Sequence, residues 1–235
     1  MSSKVLSGRR KVFPVESRPV VVPGYQLTFD MVGFPYIEPG FGTIQPIEHS
    51  KPEGEAEPLA EGRKVDCQVG SPLHCIAHLI TQKEMEHIIN TEGGNGNPDF
   101  GYQLVDIACT TYDGQEIRGK TLIDVNTKLT GYHPSARYRK ILIDGAEEHG
   151  LAAEYLERLR LVRPFVAATV GQRVAKALTL AVGLPLVMPV FLFAFASLAL
   201  KTKTPRAVSV YGEHVKRLTW VLHDWVLAPI FGKGC

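Results

Sequence analysis

With 235 residues, of which 45% are hydrophobic and 21% charged, the chain has the composition of a globular protein and the length for one substantial domain with an appendage. A formal net charge of +2, without a basic stripe between aromatic residues, argues against a nucleic-acid partner. The four cysteines form no CxxC pair and the first ten residues hold no apolar signal segment, so we expect free thiols in a reducing, cytosol-facing compartment.

The first 48 residues are rich in proline, glycine and β-branched residues. Residues 20–29 predict a strand, a turn and a second strand. Because Pro19 and Pro23 lack an amide hydrogen, we expect the first strand at a sheet edge or at a strand start. Residues 49–64 are polar and acidic, with two prolines, and predict a mobile surface loop.

A short strand and a helix follow this loop. The mostly apolar run 72–80 predicts a buried strand. Thr81 and Glu84 then have the spacing of a capping box, and the apolar residues after them have helical spacing. We therefore expect a helix that begins at Thr81 and ends near Asn90.

Glu92 directly follows this helix and precedes four glycines within nine residues. Glycine tolerates positive φ and lets a ligand approach the backbone closely. The partial negative charge at a helix C-terminus repels a carboxylate and favours its protonated form, which suits a group that exchanges protons near neutral pH. The alternative is a solvated glutamate entering a flexible loop.

A hairpin and two helices come next. The runs Tyr102–Thr111 and Gln115–Asp124 have strand character, and the Asp113-Gly114 pair between them predicts a β-hairpin. Residues 134–150 predict a helix that begins after Ser135 and ends at Gly150, and residues 152–162 predict a second, amphipathic helix.

Residues 177–200 contain no charge, and a helix of this length spans a hydrocarbon core of about 30 Å. The segment therefore predicts a membrane helix, with a buried core helix as the alternative. Pro185 and Pro189 predict either a kinked span or a re-entrant hairpin. Basic residues on both sides leave the orientation open, and the tail 201–235 resembles an interfacial amphipathic helix.

Two histidines, His74 and His78, lie four residues apart on the predicted strand 72–80. A metal site needs three or four converging ligands, so ordinary strand histidines are the favoured interpretation. Neither a nucleophile elbow, a dinucleotide fingerprint, a P-loop nor an HExxH pattern occurs in the sequence.

Several short patterns occur in a distinctive order and spacing. They are Glu92-Gly93-Gly94, Gly101-Tyr102, Asp113-Gly114, the run from Pro134 to Tyr138, Gly145-Ala146, Gly150-Leu151 and Tyr155. Together these patterns resemble the γ-glutamylcyclotransferase family, and most closely its fungal members related to those of gliotoxin-type pathways. The likeness covers roughly residues 1–162.

The resemblance implies an α+β fold around a small, mostly antiparallel β-barrel with flanking helices. It also implies a lyase reaction in which the α-amino group of a γ-glutamyl compound attacks its own γ-amide carbonyl, forming 5-oxoproline and releasing the amine. No metal or organic cofactor is expected. By similarity, Glu92 is the acid/base and Tyr138 contacts the substrate; the alternative for Tyr138 is a helix tyrosine packed on the core.

One feature departs from the family. The Tyr-Gly-Ser-Asn loop that holds the γ-glutamyl group in the family does not occur here, and the chain resembles a member that starts directly after that loop. Two hypotheses follow: a membrane-tethered γ-glutamylcyclotransferase with its active domain in the cytosol, or a non-catalytic, truncated pseudo-enzyme or membrane-bound interaction module. A γ-glutamyl peptide derived from glutathione and an intermediate of secondary metabolism are both open as substrates.

The expected domain organisation has four parts. They are a catalytic-type domain at 1–162, a linker at 163–176, a transmembrane or re-entrant helix at 177–200 and an amphipathic tail at 201–235.

Overall fold

The computed structural model describes residues 5–47, 68–69, 72–91, 102–124, 131–200, 202 and 205–235. The chain divides into two compact units. One unit consists of the ranges 1–31 and 41–164, and the other of 32–40 and 165–235. The predicted loop 49–64 and the glycine-rich run that begins with Glu92 lie outside the described residues.

The first unit contains both strands and helices, whereas the second is mainly helical. The strands are β1 (Glu16–Val22), β2 (Tyr25–Phe34), β3 (Glu38–Pro46), β4 (Gln68–Val69), β5 (Leu73–Leu79), β6 (Tyr102–Thr111) and β7 (Glu116–Asp124). The α-helices are α1 (Gln82–Thr91), α2 (Ala136–Glu148), α3 (Ala153–Leu161), α4 (Val170–Ala199), α5 (Arg206–Leu222) and α6 (Ala228–Phe231), and π-helical turns occur at Val5–Arg10 and His223–Leu227.

The described strands form two sheets, with the orders β5-β1-β6-β7 and β3-β2-β4. β1 is therefore an interior strand and begins at Glu16, ahead of Pro19, so neither the predicted sheet edge nor the predicted strand start is found. It pairs with β5 along its whole length but with β6 only at Val20 and Val21, so no β6 partner is needed at Pro19. β5 forms as predicted but ends its sheet, and Leu79 is 58% exposed rather than buried.

The small β-barrel implied by the resemblance is not closed among the strands that the structure describes, and this expectation is corrected. Within the described ranges, no ladder joins the two sheets. Instead they share one hydrophobic core, in which Phe29 and Val69 of one sheet meet Val20, Leu73 and Cys109 of the other. The sheets are held by packed side chains, and their end strands are not joined by hydrogen bonds.

Several elements predicted from local sequence patterns are found in the structure. At α1, Glu84 N donates to Thr81 Oγ1 over 3.3 Å and Thr81 N donates to Glu84 Oε2 over 2.9 Å, which confirms the capping box. Glu84 Oε1 also accepts a 2.7 Å bond from Phe13 N. This bond, with those from Thr81, holds the pKa of Glu84 below its usual value.

The predicted β6–β7 hairpin is also confirmed. Its register runs from Tyr102 opposite Asp124 to Thr110 opposite Glu116. Gly114 has φ +89°, a conformation that glycine adopts without strain. Thr111 Oγ1 accepts a 2.9 Å bond from Gln115 N and so fixes the turn.

α2 and α3 close one side of the core in the first unit. Ser135 caps α2, as its side chain accepts a bond from Tyr138 N, and Gly150 with φ +66° follows the helix end. Tyr155 and Leu159 of α3 are each 2% exposed. The hydrogen bond from Tyr138 N to the Ser135 side chain holds the first turn of α2 in place.

The second unit is built on α4, α5 and residues 32–40. Trp220 Nε1 donates to the Gly33 carbonyl over 2.9 Å, and the ring of Tyr36 is 1% exposed in a small core with Ala175 and Leu227. α4 runs without interruption through both of its prolines, so the bent-back hairpin considered for residues 177–200 does not form.

Candidate functional site

Tyr138, the predicted substrate-contacting residue, lies in the first turn of α2. Its amide donates to Ser135 Oγ over 3.1 Å, so the helix cap fixes its backbone. Its ring meets the rings of Phe29 and Phe41 edge-on, with centroid distances of 6.4 and 5.3 Å. Two aromatic contacts and one cap therefore determine the direction of the side chain.

The phenolic oxygen of Tyr138 lies against strand β3. Gly42 N donates to it over 3.2 Å. A Cβ at Gly42 would lie 3.2 Å from this oxygen and equally close to Leu27 Cδ1, so only glycine leaves ordinary contact distances here. The absence of a side chain at Gly42 lets the hydroxyl reach the backbone.

Strands β2 and β3 carry buried polar side chains that the sequence analysis missed. Thr28, Asp30 and Thr43 are 1%, 4% and 5% exposed. Asp30 accepts bonds from Gln45 Nε2 over 3.2 Å and from Gly131 N over 3.4 Å. The Asp30 carboxylate thereby joins β2 to β3 and to the segment that precedes α2.

Among the residues that the structure describes, the hydroxyls of Thr28 and Thr43 meet no hydrogen-bond partner. A buried hydroxyl without a partner destabilises a fold by about 1–3 kcal/mol, so such groups are candidates for contact with a polar ligand. The available signal was the alternation in β2, where Thr28 and Asp30 alternate with Leu27 and Phe29. Period two indicates a polar face, but it does not reveal that this face is buried.

Glu92, the predicted acid/base, lies outside the described residues, directly after the end of α1 at Thr91. Its catalytic role stays a prediction.

The two strand histidines take part in side-chain packing. The Nδ1 atom of His74 lies 2.6 Å from Tyr112 Oη. The His74 ring stacks on the Tyr155 ring, with 4.8 Å between their centroids. His78 Nδ1 lies 2.8 Å from Ser17 Oγ, and burial, with the neighbouring His149, lowers the pKa of His78 to about 4. Within the described part of the chain, no group of three or more His, Cys, Asp or Glu side chains is placed to hold a metal.

Comparison with known proteins shows which sequences this chain is similar to. The model of the AIG2-like family matches residues 61–159, which include the end of α1 and Tyr138. The gamma-glutamyl cyclotransferase aclK of Aspergillus oryzae is 26% identical over 100% of this chain and 86% of its own length. The gamma-glutamyl cyclotransferase gliK of Claviceps purpurea is 27% identical over 100% of this chain and 99% of its own length.

Full-length similarity to these two fungal proteins confirms the resemblance seen in the sequence. The chain is similar to these two γ-glutamyl cyclotransferases along its whole length. A solved structure of a gamma-glutamyl cyclotransferase aligns at 18% identity with a TM-score of 0.49, covering 69% of this chain and 82% of that chain.

Proposed function

We propose that the protein is a γ-glutamyl cyclotransferase. The observation that carries the proposal is the similarity to two proteins of that name over the entire chain. In this reaction the α-amino nitrogen forms a bond to the γ-carbonyl carbon, the amide C–N bond breaks, and one proton moves to the departing amine. The reaction closes 5-oxoproline and needs no oxidant, reductant or second substrate, and positioning of the folded substrate supplies much of the rate.

Glu92 is proposed as the group that moves this proton. An ammonium must lose a proton before it attacks, and the leaving amine must gain one, so a single carboxylate serves both steps. The position of Glu92 directly after the C-terminus of α1 supports this role, because the helix end disfavours the ionised carboxylate.

Tyr138 is proposed to contact the γ-glutamyl group. The bond from Gly42 N and the rings beside Tyr138 support a fixed hydroxyl, which a specific site requires.

The test is release of 5-oxoproline from γ-glutamyl-alanine by the full chain. We expect Glu92→Gln to lower kcat by about 10²–10⁴-fold, the usual effect of removing a general acid/base. Glu86→Gln is the matched control, because Glu86 is exposed on α1, where its Oε1 accepts a bond from Gln82 Nε2. Release that is unaffected by Glu92→Gln would refute the assignment of Glu92, and a thermal shift with the dipeptide but no release would indicate a non-catalytic binding protein.

We further propose that α4 associates the protein with a membrane, with the first unit on the cytosolic side. Residues Val170–Ser197 form a helix long and apolar enough to cross a bilayer, and only 11% of its most apolar window is buried. A core helix of a soluble protein would be mostly buried, which supports the membrane interpretation.

A further inference from the structure

α4 and α5 form an antiparallel helical hairpin with a defined register. A Cβ built on Gly183 would lie 3.9 Å from Thr219 Cγ2, and one built on Gly212 would lie 3.6 Å from Val190 Cγ2. Tyr211 Oη donates to the Leu186 carbonyl over 3.0 Å. Residues 212–219 of α5 therefore run alongside residues 183–190 of α4.

This register places charged side chains beside the middle of the charge-free segment 177–200. The α5 residues at that level include Glu213, Lys216 and Arg217. Glu213 and Lys216 form a 2.8 Å ion pair with side chains that are 31% and 27% exposed. If α4 crossed a bilayer with α5 attached, these charges would reach the hydrocarbon centre, where each one lowers insertion by a factor of about 10².

The outer surface of α4 nevertheless requires an apolar environment. Large side chains point away from α5 on several sides of the helix: Leu178, Leu184, Phe191, Leu192 and Phe195 are between 43% and 67% exposed. A contiguous apolar surface of this kind marks an interaction site. The cations Arg173 and Lys176 lie exposed at the start of α4, where they match the charge of anionic lipid headgroups.

α5 has the opposite character on its far side. Glu213 and Arg217 each lie two residues from Val215, which is 4% exposed, and two residues turn a helix by about 200°. The polar face of α5 therefore points away from its buried face. Trp225, beyond the end of α5, is 81% exposed, and tryptophan favours the boundary between lipid and water.

From this geometry we propose that the hairpin lies in the plane of a lipid bilayer surface, with α4 immersed at the acyl boundary and the polar face of α5 toward water. The inference rests on the membrane association proposed above and changes its form, because α4 enters one leaflet and does not cross. It keeps Glu213, Lys216 and Arg217 hydrated and covers the apolar surface of α4. Interfacial helices are immersed by about 5–10 Å, which is the scale of one helix diameter.

The test uses the full chain and preformed vesicles with about 30% phosphatidylserine, a fraction chosen to give an anionic surface. Single cysteines are introduced as Ala168→Cys, before α4, and Thr202→Cys, after it; both positions are exposed. An impermeant maleimide is added outside, and labelling of each site is quantified by mass spectrometry, so the native thiols do not interfere. In-plane binding predicts full labelling of both sites in intact vesicles.

Protection of one site until detergent is added would show that α4 crosses the bilayer, which overturns the in-plane geometry and leaves membrane association intact. Failure of the protein to float with vesicles would overturn both. Activity measured in the same samples reports on the cyclotransferase proposal separately.

A matched pair of variants tests which face binds lipid. Leu184→Asp is expected to lower the vesicle-bound fraction about tenfold or more, because it places a charge on the immersed face. Arg217→Asn, on the hydrated face, is expected to change it less than about twofold. A stable dimer in vesicle-free solution that Leu184→Asp dissociates, together with no flotation, would identify a second copy of the chain as the true occupant of this surface.

Discussion

Replacing Thr28 by valine should stabilise the protein. Thr28 is 1% exposed and its hydroxyl meets no hydrogen-bond partner among the described residues, so the free protein bears the desolvation of that group without a compensating bond. Valine has nearly the same shape and exchanges the hydroxyl for a methyl group. Removing an unpaired hydroxyl and burying a methyl group should raise the free energy of unfolding by about 1–2 kcal/mol.

The matched control is Thr111→Val. Thr111 is equally buried, at 4% exposed, but its hydroxyl accepts a 2.9 Å bond from Gln115 N. Losing this bond leaves an amide unpaired, and we expect a loss of about 1–2 kcal/mol. Urea unfolding followed by far-ultraviolet circular dichroism at pH 7 measures both variants.

Activity separates a ligand-binding hydroxyl from an accidental one. If the Thr28 hydroxyl bonds to the γ-glutamyl group, Thr28→Val should lower kcat/KM by about tenfold, the equivalent of one hydrogen bond of about 1.4 kcal/mol. A Thr28→Val variant that loses stability as Thr111→Val does would refute the claim that the hydroxyl is unpaired. We expect a stabilised variant with full activity, because Thr28 lies on the face of β2 opposite Tyr138.

Three further predictions follow from contacts in the two units. The pKa of half-buried His78 is about 4, below the value of about 6.5 expected in the unfolded chain, so only the unfolded state binds the extra proton between these pH values. The free energy of unfolding should therefore fall by roughly 1–2 kcal/mol as the pH is lowered from about 6.5 to 4, after allowance for partial exposure. His78→Gln should flatten that slope in pH-dependent urea unfolding. Gly42→Ala should displace the Tyr138 hydroxyl, which would lie 3.2 Å from the new Cβ. We expect kcat/KM to fall about tenfold while the free energy of unfolding changes by no more than about 1 kcal/mol. Unchanged kinetics would contradict the role of Tyr138. Gly234→Ala should destabilise the second unit by about 1–3 kcal/mol, because the new Cβ would lie 2.6 Å from the buried Tyr36 ring. Unfolding followed by tryptophan fluorescence measures this effect. An unaltered transition would show that this packing does not persist in solution.

Short-range patterns predicted the local structure well. The capping box of Thr81 and Glu84, the Asp113-Gly114 turn and the cap at Ser135 all depend on atoms within a few residues, so the sequence contains the whole interaction.

Long-range arrangement was harder to predict. Pro19 suggested an edge strand, yet β1 lies inside its sheet. The proline is tolerated there because β6 pairs with β1 only beyond it, at Val20 and Val21. Whether a strand has one neighbour or two depends on segments far along the chain, and a single residue does not encode it.

The candidate site shows the same division. The role of Tyr138 is a prediction from its place in a family-like pattern, whereas the buried hydroxyls of Thr28 and Thr43 became visible only in the folded chain. The hydrophobicity of residues 177–200 likewise predicts a membrane helix from sequence alone, whereas the proposed in-plane geometry depends on the register of α5 on α4, which only the folded chain reveals.

The central claim is an intramolecular cyclisation, and product stoichiometry tests it most directly. The full chain is incubated with γ-glutamyl-alanine, and 5-oxoproline, alanine and glutamate are quantified together over time. The account predicts 5-oxoproline and alanine in equal amounts, without glutamate, and loss of both products in Glu92→Gln but not in Glu86→Gln. Release of glutamate with alanine would indicate hydrolysis by water, and no release of alanine would contradict the proposed activity altogether.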